Sequence, residues 1–243
     1  MRMRSAGAAA LLAAAVIVLA GCAGGPGGRP SEIPASPPTV TPTPEQPSAA
    51  AAWIDRGRAI AIITWGSSST ACRPAAEGER GDGQSTDGQS IDVTLSVADE
   101  KAACTADYAP RASFLAVPEG IDPSSDVVLT VSGDGSDTEI ILAGDGSLMG
   151  VPGEGTDYAP SAGWYDATGV VLLTWGSSSC PPIVESVEPS SDGATVSFRS
   201  EDRACTMDMA PRLTVLDIGA RPEGPQVLTL VGDNLDGAVP IAG

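Results

Sequence analysis

Apolar positions along this chain fall into three regimes. Residues 8–20 form an uncharged apolar run, residues 23–52 show no apolar period, and beyond them apolar residues recur with the period of β-strands. Ile91, Val93, Leu95 and Val97 alternate with Asp92, Thr94 and Ser96, and Ala194, Val196 and Phe198 alternate with Thr195, Ser197 and Arg199. Period-two alternation turns one face of a strand to a core and the other to water. Residues 59–65 and 170–175 are almost wholly apolar, as a central strand covered on both faces requires. Further β-rich runs lie at 112–117, 127–131, 140–142, 213–218 and 227–231, and no segment after residue 52 carries a helical stripe.

A repeat organises these runs. Thr64-Trp65-Gly66-Ser67-Ser68-Ser69 recurs unchanged as Thr174-Trp175-Gly176-Ser177-Ser178-Ser179, followed by Cys72 and Cys180 respectively. Downstream, Cys104-Thr105-Ala106-Asp107-Tyr108-Ala109-Pro110-Arg111 matches Cys205-Thr206-Met207-Asp208-Met209-Ala210-Pro211-Arg212, with only Ala106/Met207 and Tyr108/Met209 differing. Pro118-Glu119-Gly120 and Pro222-Glu223-Gly224 follow in the same order. An internal duplication accounts for this order economically.

The predicted organisation is a signal peptide at 1–21, a disordered Pro-rich tether at 22–52, β repeats at 53–144 and 164–243, and a Gly- and Pro-rich linker at 145–163. Five or six short strands in each stretch of about 80–90 residues predict an all-β fold of two tandem disulfide-stapled repeats, sandwich-like or barrel-like. Ser190-Ser191-Asp192-Gly193 reads as a hairpin turn. Residues 75–90, with a doubled Asp-Gly-Gln-Ser, read as a loop peculiar to the first repeat. Asp157-Tyr158-Ala159-Pro160 echoes the second motif without its cysteine and reads as a coincidence or a degenerate fragment.

The N-terminus carries an address. Arg2 and Arg4 precede the apolar run, which is too short to span a bilayer core of about 30 Å as a helix and has a signal peptide's layout. It ends in Leu19-Ala20-Gly21-Cys22, which resembles the lipobox of bacterial lipoproteins. The resemblance implies that Cys22 receives a diacylglyceryl group and becomes the first residue of the mature protein. Two acyl chains suffice for stable anchoring where one is marginal. The single lysine among many Arg, Ala and Gly, together with the tether and the repeats, makes the chain similar to exported actinobacterial lipoproteins. Seven prolines between residues 30 and 47 favour an extended tether with a reach on the order of 90 Å.

Lipidating Cys22 leaves Cys72, Cys104, Cys180 and Cys205, an even set in a chain bound for an oxidising compartment. Four thiols permit three pairings. Cys72 with Cys104 and Cys180 with Cys205 is the pairing that closes a loop within each repeat and preserves the duplication.

Charge and composition narrow the chemistry. A net charge of −18 disfavours nucleic acid and anionic headgroups, so membrane contact is expected through the lipid. The chain has no histidine, which removes Ser-His-Asp and Cys-His mechanisms and every His-containing metal site. Asp107 and Asp208, retained among changed neighbours, are the candidate ligand-facing carboxylates. The stronger reading is that they brace a turn, with Arg111 or Arg212 near enough in sequence to pair with them. Asp134, Asp137 and Glu139 supply oxygens suited to calcium but depart from EF-hand spacing, and no metal or cofactor is expected. Trp53, Trp65, Trp164 and Trp175 are expected in cores. The chain therefore reads as an extracytoplasmic, membrane-anchored, non-enzymatic protein that binds a protein or cell-wall glycan or serves the envelope structurally. The rival reading is a carboxylate-dependent glycan hydrolase using Asp107.

Overall fold

The computed structural model describes residues 48–81, 89–99 and 101–243. The signal peptide, Cys22, residues 22–47 of the tether and most of the doubled Asp-Gly-Gln-Ser lie outside the described residues. The first half contributes β1 (Ala49–Ile54), β2 (Ala59–Gly66), β3 (Ala75–Arg80), β4 (Gln89–Ser96), β5 (Ala109–Ala116), β6 (Val127–Gly133) and β7 (Ser136–Leu142). The second contributes β8 (Ser161–Trp164), β9 (Gly169–Gly176), β10 (Val184–Ser190), β11 (Gly193–Phe198), β12 (Ala210–Asp217), β13 (Val227–Val231) and β14 (Gly237–Ala242). The fold is all-β. Its only helical turns among the described residues are the 3-10 segments Asp55–Gly57 and Thr70–Cys72.

Pairing repeats with the sequence. β1, β2 and β5 form one antiparallel sheet, and β8, β9 and β12 pair in the same order. Trp65 stands opposite Pro110 in the first, and Trp175 opposite Pro211 in the second. The remaining strands order as β3-β4-β6-β7 and β10-β11-β13-β14, with the central β4/β6 and β11/β13 contacts parallel. In the second half β14 also joins β8 in parallel, Ile241 beside Ala162 and Ala242 beside Gly163, so seven strands run continuously. Every sheet keeps two open edges, and the barrel expectation is not met. The three- and four-stranded sheets have too few strands to curl closed around side chains, and the seven-stranded one ends at β10 and β12 without pairing them.

Three cores separate the sheets. Ile60 and Ile62 of β2 meet Ile91, Val93 and Leu129 of the four-stranded sheet in the first core. Val170 and Leu172 meet Val196, Leu228 and Leu230 in the second. The opposite faces of β1, β2 and β9 form a third core, in which Ala52, Ile54 and Ile63 pack with Val171 and Leu173. β2 and β9 are therefore covered on both sides, as their apolar runs predicted. The layers succeed one another as repeats of a solenoid do, each touching mainly its neighbours. Both repeats lie within the unit Glu45–Gly243.

At the middle of the stack, equivalent positions face each other. Trp53 pairs with Ile60 and Trp164 with Val170, so Ala52 and Gly163 are counterparts, and these two meet across the interface.

Other boundaries also differ from expectation. β1 begins at Ala49, inside the predicted tether, because four consecutive alanines carry no alternation yet bury completely against β2. Within the predicted loop, Ala75–Arg80 forms β3, an edge strand whose Glu77, Glu79 and Arg80 face solvent. Such polar edges discourage further strand pairing and hide the strand from a hydrophobicity reading. With β1, β8, β3, β10 and β14 added, each half has seven strands. The predicted hairpin is present, Ser190 pairing with Gly193 across Ser191-Asp192.

Candidate functional site

The two duplicated motifs come together in space. β2 delivers Ser67-Ser68-Ser69 at its end, and the segment entering β5 brings Thr105 and Asp107 alongside. Ser67 Oγ lies 2.8 Å from Thr105 Oγ1 and 3.0 Å from Ser69 Oγ, while the Ser68 N–H donates to both carboxylate oxygens of Asp107 at 3.2 Å. Thr105 Oγ1 also donates to Asp107 Oδ1. The second half reproduces this: Ser177 Oγ to Thr206 Oγ1 at 2.7 Å, and Ser178 N–H to Asp208 at 3.2 and 3.3 Å. Thr206 Oγ1 donates to Asp208 Oδ1. The Cys72–Cys104 and Cys180–Cys205 disulfides tie the same two segments in each half.

These hydrogen bonds favour the charged carboxylate and hold Asp107 and Asp208 down at about 2, with the threonine hydroxyl the leading cause in each. A general acid for glycoside hydrolysis needs the opposite shift. Both aspartates are solvent-exposed, and both oxygens of each accept from their own loops. The predicted pairing with Arg111 and Arg212 does not occur.

Those arginines have a different task. Arg111 forms an ion pair with Asp134 and donates from Nη1 to the Cys72 carbonyl at 2.7 Å. Arg212 donates to the Cys180 carbonyl at 3.0 Å and the Trp175 carbonyl at 2.8 Å. Each guanidinium lies on the glycine of the Trp-Gly-Ser motif. A Cβ at Gly66 would stand 2.8 Å from Arg111 Cζ, and one at Gly176 would stand 2.8 Å from Arg212 Cζ. The two distant motifs are thus one structural unit, in which glycine makes room for an arginine that fastens the disulfide-bearing loop.

The remaining candidates disperse. Asp134 is committed to Arg111, and among the described residues no cluster of three or more His, Cys, Asp or Glu side chains could hold a metal ion. Trp53 and Trp164 are buried in the first and second cores. Trp65 and Trp175 pack against the central core, where Phe114 and Tyr158 meet Trp175 edge-on at 5.9 and 5.3 Å. Among the described residues no helix is long and apolar enough to cross a membrane.

Two features escaped the sequence reading. Asp55, in the turn after β1, is buried; its N–H donates to Ser161 Oγ at 2.7 Å and its carboxylate accepts from Thr156 Oγ1 at 2.9 Å. Burial, the leading influence, raises its pKa, opposed by Thr156 and Arg58. Beside it lies a groove of about 490 Å³ between β14, the end of β1 and the segment between the halves. That segment is fitted rather than free: the Gly150 N–H donates to the Arg56 carbonyl at 2.8 Å, and Arg56 pairs with Asp157 at 3.1 Å. The only trace in the sequence is the charged Asp55-Arg56-Gly57-Arg58 interrupting an apolar stretch.

Comparison with family models, curated proteins and solved structures finds no match to this chain.

Proposed function

We propose that this protein is an exported lipoprotein, anchored by a diacylglyceryl group on Cys22 to the outer face of the cell membrane, whose β region acts by binding a protein or cell-wall glycan. The anchor rests on Leu19-Ala20-Gly21-Cys22 at the end of an uncharged apolar run.

The observation that carries binding over hydrolysis is the state of Asp107 and Asp208. Both are held ionised near 2 by their own loops, and no second carboxylate is among the groups that shift them. Neither is poised to donate a proton at neutral pH. The full chain, expressed in a host that processes lipoproteins, tests both parts. Cys22→Ala should abolish incorporation of labelled acyl chains, and normal labelling would remove the anchor. Envelope glycans should be retained without turnover, whereas turnover lost in Asp107→Asn would establish the hydrolase instead.

A further inference from the structure

We infer that the groove beside β14 holds the aliphatic chain of an uncharged, single-chain amphiphile. Its volume of about 490 Å³ falls in the range of small-molecule sites, roughly 300–1,000 Å³. One wall is the face of β14 turned away from the second core, carrying Ala238 and Pro240, while Val239 and Ile241 point into that core. Leu148 and Met149 from the segment between the halves also line the groove, and the end of β1 at Trp53 and Ile54, whose side chains are buried in the first and third cores, borders it. Met149 is 80% exposed, an uncovered apolar side chain at the rim.

The gap stays open for a reason written in the backbone. β14 and β8 pair only at Ile241/Ala162 and Ala242/Gly163, then diverge. The Ile241 N–H donates to Gln226 across β13, so by alternation along the strand residues 239 and 237 also face β13, while Ala238 and Pro240 face the fork. Pro240 has no N–H, and neither has Pro160 on the other side. The strands cannot zip further. An entering peptide strand would find a single donor on the β14 wall, whereas an aliphatic chain needs none.

Charge selects the head group. Three polar groups lining the groove have partners: Arg56 with Asp157 at 3.1 Å, Asp236 Oδ1 with the Gly232 N–H at 3.0 Å, and Ser161 Oγ with the Asp55 N–H at 2.7 Å. They leave no unpaired cation for an anionic head, and a chain of net charge −18 repels one.

The wall is also preformed. Asp55, Arg56 and Gly57 have φ of 47°, 58° and 96°, a left-handed run containing two non-glycine residues. Such strain persists only where the surroundings over-determine it, here through Ser161, Thr156 and Gly150.

The inference is independent of the anchor, and its test uses the full Cys22→Ala chain so that no attached acyl group competes. N-phenyl-1-naphthylamine, an uncharged apolar fluorophore, should show saturable, blue-shifted fluorescence and be displaced by monolaurin. Ala238→Trp, filling the groove from an exposed position, should weaken probe and monolaurin binding by about tenfold or more, roughly 1.4 kcal/mol. Thr130→Trp, exposed on β6 of the four-stranded sheet, should bind as the parent does. Absence of saturable binding, or equal binding by Ala238→Trp with an unchanged melting curve, would overturn the site. Laurate displacing the probe as well as monolaurin would overturn the assignment of an uncharged head.

Discussion

Gly163 of β8 lies directly against the main chain of Trp53 in β1. A Cβ there would overlap the Trp53 carbonyl oxygen and stand 3.2 Å from the Ala52 side chain. Sheets usually pack about 10 Å apart, and this closer approach leaves room for no more than an alanine side chain at Ala52. It also makes the joint between the halves intolerant of a single methyl group.

Gly163→Ala should therefore destabilise the stack by about 1–3 kcal/mol, the usual cost of overpacking. Gly155, with no heavy atom near its added Cβ, is the control, and Gly155→Ala should leave the urea midpoint nearly unchanged. Equal midpoints for the two variants would show that the halves do not pack through Gly163.

The disulfides close separations of 32 and 25 residues and fasten loops that otherwise hold on through exposed hydrogen bonds. Replacing Cys72 and Cys104 together by serine should cost about 2–5 kcal/mol, and the Cys180/Cys205 pair should cost a similar amount. Calorimetry of each double variant checks this. A melting temperature unaffected by both would mean that the strand ladders alone hold these loops.

Acid should loosen the same loops. Asp107 and Asp208 titrate near 2 in the folded protein against 3.8 for a free aspartate. A depressed carboxylate binds its proton less readily when folded, so its stabilising effect is complete above pH 4 and lost as pH falls towards 2. Asp55 has the reverse sign: burial raises its folded-state value above 3.8. It favours folding below that pH and ceases to do so as pH rises through the raised value. An Asp107→Asn/Asp208→Asn variant should lose less stability than the parent between pH 4 and 2 in urea titrations. An identical slope would show that the two carboxylates are not bonded as described.

Ile91-Val93-Leu95 and the two runs ending in Trp65 and Trp175 were legible because their burial is local, following from side-chain period alone. The duplication likewise foretold the disulfide partners, since a loop closed within each half repeats when the sequence repeats. β3 and β10 were hidden because polar edge strands need not look hydrophobic. Asp107 and Asp208 drew notice because they were retained, and their hydrogen bonds join the two duplicated motifs in each half.

By itself, the sequence determined the strand period, the two halves and the pairing within each, because these depend on short-range pattern and on loops closed by nearby cysteines. Only the tertiary structure decided that Gly163 meets Trp53, that Arg111 lies on Gly66, and that β14 and β8 part to leave a groove. Those contacts join residues distant in the chain, and their existence turns on the room left by a missing Cβ or the donor missing from a proline.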